Sequence, residues 1–351
     1  MLIIDNVKKI TKRLFFIGFI IVLIVVLACG AIAYSMLFMP NFKPSETKYV
    51  YIYEDNKNFG ALCEVLKDSA GCANIDFFKI LADFRKYPEN MKSGRYAIDP
   101  GMDNNTLINR LRRGQQVPVR ITFNNIRLLS DLSDRLSGQL MIENDELLSL
   151  IGDEDYCESF GFNTATIKTM FIPDTYEVYW NIPADKLIER MKREYNAFWN
   201  DDRLKKAENI HLSPIEVSIL ASIVEEETAV PDEYPVVAGL YLNRLYKSMP
   251  LQADPTVKYA VGDFSLKRIL NIHLEVVSPY NTYLYGGLPP GPIRIPSVRC
   301  IDAVLNYTKH NYLYMCAKED FSGRHNFAVT LSEHNRNANK YHLELNRRGI
   351  R

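Results

Sequence analysis

The stretch "SILASIVEEETAV", Ser218 to Val230, ends an otherwise apolar or small-residue run on three adjacent carboxylates, Glu225, Glu226 and Glu227. Glutamate is rarely buried without a partner, so this placement needs a reason. Paired carboxyl groups are the usual demand of glycosidic cleavage, one as acid and one as nucleophile or base. A second carboxyl could come from Glu226, Glu227, Asp232, Glu233, Asp254 or Asp263, and spacing alone does not choose among them. Other chemistries find less support. Ser222 has no accompanying His/Asp arrangement. His325 and His334 could assist acid–base work, yet a lone histidine beside a helix is usually structural. The six cysteines include no C-x-x-C pair, and no H-E-x-x-H occurs, so nothing predicts a metal.

A helix must carry the carboxylates. Ser213 is placed to cap it, Pro214 suits its first position and Glu216 completes a capping box. At about 100° per residue, Ile215, Ile219 and Ile223 share one face. Glu226 projects onto that side, Glu227 falls between Ile223 and Leu220, and Val217 and Val224 cover the opposite side. Glu225 stands apart, stacked over Ser218, Ala221 and Ser222. That small-residue face is where another element, or a ligand, could approach closely. Three glutamates near a helix C-terminus oppose the helix dipole and need compensation.

The chain around this helix has 351 residues, room for two or three domains. Basic and acidic residues balance at 42 each, which excludes a nucleic-acid footprint built on net charge. From Leu14 to Met39 no residue is charged, and Lys8, Lys9, Lys12 and Arg13 precede the run. It is long enough to cross a hydrocarbon core of about 30 Å, too long for a cleaved signal peptide, and too apolar after Cys29 for a lipoprotein leader. The expectation is an uncleaved single-pass anchor in the cytoplasmic membrane, with the N-terminus in the cytoplasm and the rest outside. Cys63 and Cys72 are close enough in sequence to bridge, and free thiols fit equally well.

Residues 40–47 read as a linker. "YVYIY" reads as a strand, "NFGALCEVLKDSA" and "FFKILADFRKY" as helices, and "MKSGRYAIDPGMDNNTLINRLRRGQ" as strand, turn and helix capped by Asp103 or Asn104. With the strand "VPVRITF" these make a small α+β unit at 48–123. A mostly helical stretch, 124–212, leads to the segment with the three glutamates, 213–351. There the helix "DEYPVVAGLYLNRLYKSM" precedes a turn-rich region, a strand "NYLYMCAK" and a closing helix capped by Thr330 or Ser332.

Four motifs then follow in order: "LASIVEEETAVPDEYPVVAGLYLNRL", "MPLQADPTVKYAVG", "SPYNTYLYGGLPPGPI" and "SGRHNFAVTLSEHNRN". In order and approximate spacing they resemble the endolytic murein transglycosylase (YceG-like) family. The resemblance covers nearly the whole chain outside the anchor and is strongest from Leu220 to Asn337. It implies an α+β protein with an N-terminal transmembrane helix, a LysM-like subdomain that includes "MKSGRYAIDPGM", and a mixed α+β catalytic domain. It maps the family's catalytic glutamate, the first after "SIV", onto Glu225. It also places Asn243, Gln252, Asp254, Thr256, Tyr280, Asn281 and Thr282 around the site as substrate-binding candidates, though such residues often only organise turns. Three stretches depart from the family pattern. Glu226 stands where Lys is customary, "TMFIPDTY" replaces an upstream "EG", and "FNNIR" replaces a common "PEG".

The implied function is endolytic, non-hydrolytic cleavage of peptidoglycan between N-acetylmuramic acid and N-acetylglucosamine. It would leave 1,6-anhydro ends on nascent strands, near the peptidoglycan synthases, with no metal or organic cofactor. The rivals are a hydrolytic muramidase, which needs a second carboxylate, and a membrane-tethered glycan-binding scaffold with no activity.

Overall fold

The computed structural model describes residues 2–266 and 268–349, with side chains from residue 9 onward. The basic flank is therefore described from Lys9, and Lys8 lies outside the described side chains. The chain divides into two compact units, 1–119 with 178–181, and 120–177 with 182–351.

The first unit opens with helix α1 (Leu2–Phe38), whose part Lys9–Phe38 is long and apolar enough to cross a membrane. Strands β1 (Pro40–Phe42) and β2 (Lys48–Ile52), helices α2 (Phe59–Ser69) and α3 (Ile75–Phe84), strands β3 (Gly94–Ile98) and β4 (Met102–Asp103) and helix α4 (Asn104–Arg113) follow. Antiparallel β2 and β3 pair from Lys48↔Ile98 to Ile52↔Gly94. Val50 and Ile52 turn inward while Tyr49 and Tyr51 face out, the period of two that a half-buried strand requires. Asp103 is the cap of α4, accepting from the Thr106 N–H at 2.6 Å. Gly114 ends that helix in the left-handed region at φ +67°, where glycine carries no Cβ penalty.

The stretch expected as a linker is part of this fold. β1 pairs antiparallel with β4, and Phe42 is fully buried. Asn41 bonds the Asn104 side chain at 2.7 Å and the Asn74 carbonyl at 2.9 Å. Asn104 in turn donates to the Met36 carbonyl at 2.9 Å, tying the end of α1 to the unit. Among the described residues all six cysteines are free thiols. Burial pushes the Cys63 thiol up to about 11.

The second unit runs through β5 (Val119–Thr122), α5 (Leu129–Ser137), α6 (Asn144–Gly152), α7 (Glu154–Ser159), β6 (Thr175–Val178), α8 (Ala184–Phe198), α9 (Asp201–Asn209) and α10 (Pro214–Glu227). It continues with α11 (Tyr234–Tyr246), α12 (Asp254–Val261), α13 (Asn271–Leu274), α14 (Val298–Leu305), β7 (Tyr314–Ala317), β8 (His325–Ala328) and α15 (Leu331–Arg347). The start of α10 is as expected: Ser213 and Glu216 form a reciprocal capping box with Pro214 in the first turn. Its middle is not amphipathic. Every residue from Val217 to Val224 is buried, so α10 is a core helix enclosed by α9, α11, α12 and α14. A helix buried on all sides needs apolar or small residues all round, which accounts for the small residues there.

Candidate functional site

The small-residue face of α10 receives protein, not ligand. The Cys300 thiol of α14 reaches the Ala221 carbonyl at 3.2 Å, and the Ile293 N–H donates to Ser222 Oγ at 3.1 Å. Glu225, one turn on, accepts from the N–H of Ser297 at 2.8 Å. Ser297 is the N-cap residue of α14, so the Glu225 carboxylate sits at a helix N-terminus, where negative charge is favoured. Arg294 Nε lies 3.7 Å from the same oxygen. Glu225 is the expected catalytic residue, but here it holds α14 against α10.

Glu226 takes a different direction. Arg127 Nη2 lies 2.9 and 3.0 Å from its two oxygens, and Arg294 Nη1 lies 2.7 Å away. With 19% of the side chain exposed and Arg294 at 13%, this is a partly desolvated ion cluster. It supplies the compensation that an acid at a helix C-terminus requires.

Glu227 alone of the three lines a cavity of about 270 Å³. α11 contributes Leu240, Tyr241 and Arg244, the loop before α12 contributes Leu251 and Gln252, and α12 contributes Asp254. Tyr283, the β7 residues Met315, Cys316 and Ala317, and His325 of β8 complete the wall. The buried hydroxyl of Tyr241 donates to Glu227 Oε1. Burial pushes the Glu227 carboxyl up to about 7; the Tyr241 hydrogen bond and Arg244 pull it down, and Asp254 pushes it further up. A carboxyl poised near neutrality can give a proton and take one back.

The polar residues expected to hold substrate fall into two groups. Gln252 and Asp254 reach the cavity. Asp254 accepts from the Tyr283 hydroxyl at 2.7 Å. Gln252 sits at φ +50°, a sparsely populated backbone region for a side-chain-bearing residue. Its N–H is held by the Thr282 carbonyl at 3.1 Å.

The others serve the scaffold. Asn243 donates to the carbonyls of His310 at 2.8 Å and Tyr312 at 3.1 Å. Fully buried Thr256 bonds the Ala253 carbonyl at 2.7 Å and Thr282 Oγ1 at 2.8 Å. Thr282 Oγ1 also accepts from the Ala253 N–H at 3.0 Å. Asn281, also fully buried, ties down the carbonyls of Leu274 and Val276, both at 2.9 Å. Tyr280 packs on Tyr259 with ring centroids 4.7 Å apart and is not part of the wall around Glu227. None of these five lines the cavity: Thr256, Asn281 and Thr282 shape the loops that carry Gln252, Asp254 and Tyr283, and Asn243 holds the segment that leads into β7.

Sequence reasoning missed the role of Arg244. Its guanidinium donates to the carbonyls of Leu313 at 2.6 Å and Leu251 at 2.8 Å, fixing two walls of the cavity to α11. A signal for Glu227 was present in the helical projection, which put its carboxyl between two buried apolar positions.

Comparison with known proteins adds a second line of observation. A model of the YceG-like family matches residues 50–340. An endolytic murein transglycosylase of Bacillus subtilis (strain 168) is 28% identical over 334 residues, covering 89% of this chain and 90% of that protein. An endolytic murein transglycosylase of Streptococcus pneumoniae is 24% identical over 363 residues, covering 93% of this chain and 64% of its own length. The crystal structure of a YceG-like protein from Listeria monocytogenes superposes with a TM-score of 0.56 at 25% identity, over 83% of this chain and 99% of that one.

Proposed function

The chain belongs to the YceG-like family, and we propose that it is a membrane-anchored endolytic lytic transglycosylase of peptidoglycan whose proton donor is Glu227. The carrying observation is a single carboxyl held near neutrality inside the cavity, beside polar groups able to bind sugar. Protonated Glu227 donates to the glycosidic oxygen between N-acetylmuramic acid and N-acetylglucosamine, and the bond to C1 breaks as that oxygen leaves as a hydroxyl. The resulting carboxylate then removes the proton of the C6 hydroxyl of the same muramic residue, whose oxygen attacks C1. The nucleophile is within one ring, so no water is consumed. The proton returns to Glu227, and the product carries a 1,6-anhydro end.

The anchor reading is supported by the apolar span Lys9–Phe38 and by Lys9, Lys12 and Arg13 at its head, which favour a cytoplasmic N-terminus. The LysM-like reading of 48–123 rests on the resemblance of "MKSGRYAIDPGM" and on the separate core of the first unit. Action on nascent strands beside peptidoglycan synthases belongs to the same proposal. A hydrolytic muramidase is the second reading, favoured by Asp254 lining the same cavity as a second carboxylate. The test is product analysis on purified peptidoglycan with wild type, Glu227→Gln and Glu225→Gln. Anhydro-muramic ends from wild type and Glu225→Gln, and none from Glu227→Gln, are expected. Reducing muramic ends would overturn the lytic reaction, and an active Glu227→Gln would overturn the choice of acid.

A further inference from the structure

His325 lines the Glu227 cavity from β8, and its ring is held from behind by a buried carboxylate. Nδ1 lies 2.9 Å from Glu233 Oε2, and the backbone N–H of His325 donates to Glu233 Oε1 at 3.0 Å. Thr228, the residue after Glu227, donates its hydroxyl to the same carboxylate at 3.0 Å. Glu233 is only 6% exposed. Burial alone would raise its carboxyl, but the hydrogen bonds from His325 and Thr228 outweigh it and hold the group below its usual value. An ionised carboxylate only accepts, so Nδ1 must carry a proton, and in the neutral form of the ring that leaves Nε2 as a bare acceptor. No protein atom among the described residues pairs with that nitrogen.

Resting on the reaction proposed above, we propose that His325 is a substrate-contacting residue of this site, with Nε2 accepting a hydrogen bond from a glycan hydroxyl, and that Glu233 is the positioning residue that fixes its tautomer. The site has a chemical need for such an acceptor. Glu227 begins the reaction protonated, so the oxygen that carries its proton is a poor acceptor, while its other oxygen is engaged by Tyr241. A neutral imidazole offers an acceptor without a second negative charge that would further disfavour ionised Glu227 in the second step. The path Glu227–Thr228–Glu233–His325 also ties the end of α10 to β8, so acid and acceptor share one support. The logic is that of a carboxylate orienting a histidine in hydrolase triads, with the imidazole here a hydrogen-bond acceptor.

The test uses the full chain in detergent with ¹⁵N-labelled histidine. Two-bond ¹H–¹⁵N spectra report each ring's tautomer, and His325→Gln assigns the signal among the six histidines. The Nδ1–H tautomer is expected for His325. Its Nε2 resonance should move when uncrosslinked glycan strands are added to Glu227→Gln, and the exposed His211 should not respond. Glu233→Gln offers an amide N–H to Nδ1 and should convert the ring to the Nε2–H tautomer. Its kcat/KM, and that of His325→Ala, should fall about a hundredfold, the scale of a misplaced reacting group, with unfolding temperatures measured alongside. An Nε2–H tautomer in wild type, a His325 signal indifferent to glycan, or full activity in His325→Ala overturns the proposal. If Glu227→Gln is inactive while His325→Ala is not, only the histidine's role fails. If Glu227→Gln remains active, the acid assignment fails, and glycan contact at His325 is then read with wild-type protein.

Discussion

Glu227→Gln should make the protein inactive and, at neutral to alkaline pH, more stable. The carboxyl is raised from 4.5 to about 7 chiefly by burial. Below pH 4.5 both folded and unfolded chains hold the proton and the group costs nothing. Between 4.5 and 7 the unfolded chain releases its proton and the folded chain does not, so stability falls as pH rises. Above 7 both are ionised and the whole difference is lost. At about 1.4 kcal/mol per pH unit, the loss is at most about 3 kcal/mol. Glutamine keeps an acceptor for the Tyr241 hydroxyl and has no charge to desolvate. Urea unfolding of both proteins should coincide at pH 4 and diverge by up to about 3 kcal/mol in favour of the variant at pH 8, roughly 6–12 °C in unfolding temperature for a unit of this size. Wild-type kcat/KM should fall as pH rises through about 7, because the donor must be protonated. Tyr241→Phe removes a hydrogen bond that lowers the carboxyl, so it should carry this alkaline limb to higher pH. A stability difference that is the same at pH 4 and pH 8 would refute the reasoning, since Glu227 would then titrate like an exposed carboxyl.

Glu225→Gln should keep glycan cleavage and lose about 1 kcal/mol, the scale of one charge-assisted hydrogen bond at a helix start; loss of activity with an unchanged fold would return the acid to Glu225. Arg127→Glu and Glu226→Lys should each cost about 1–2 kcal/mol by setting like charges together. The double variant should recover part of that, with a coupling near 1 kcal/mol in a double-mutant cycle by urea unfolding. Recovery should be incomplete, because Arg294 still faces position 226. Gly291→Ala would place a Cβ 2.2 Å from the Ala165 carbonyl oxygen and 2.9 Å from the Tyr280 hydroxyl. Backbone must move, and a loss of about 3 kcal/mol is expected; a thermal melt unchanged within 1 °C would contradict that close approach.

The parts of the fold legible in the sequence are those whose signal is local. The Ser213 capping box, the Asp103 cap and the alternation of β2 need only a few neighbouring residues, and each stands in the structure. What was hidden depends on distant partners. α14 has only eight residues between prolines and a turn, and its helical pattern is too short to separate from loop. β1 and β8 are strands of three and four residues that exist because β4 and β7 pair with them. Asn243, Thr256, Asn281 and Thr282 illustrate the same limit at the site. A polar side chain near a cavity in sequence looks the same whether it meets sugar or the surrounding scaffold, and here backbone groups and a neighbouring hydroxyl claim it.

The three glutamates show why projecting a helix onto a wheel picked out Glu225 first. The wheel presumes one wet side, so a residue set apart from the apolar stripe reads as available. α10 is wrapped on every side, and the question becomes what each direction meets: the start of α14 for Glu225, two guanidiniums for Glu226, a cavity and a buried tyrosine hydroxyl for Glu227. This also joins two departures from the family pattern that the sequence presents separately. Glu226 stands where Lys is customary, and Arg127 belongs to the "FNNIR" stretch that replaces "PEG". In the structure they are partners at 2.9 Å. The Glu226 carboxylate is thus matched by the guanidiniums of Arg127 and Arg294, and it takes no part in the wall of the cavity around Glu227.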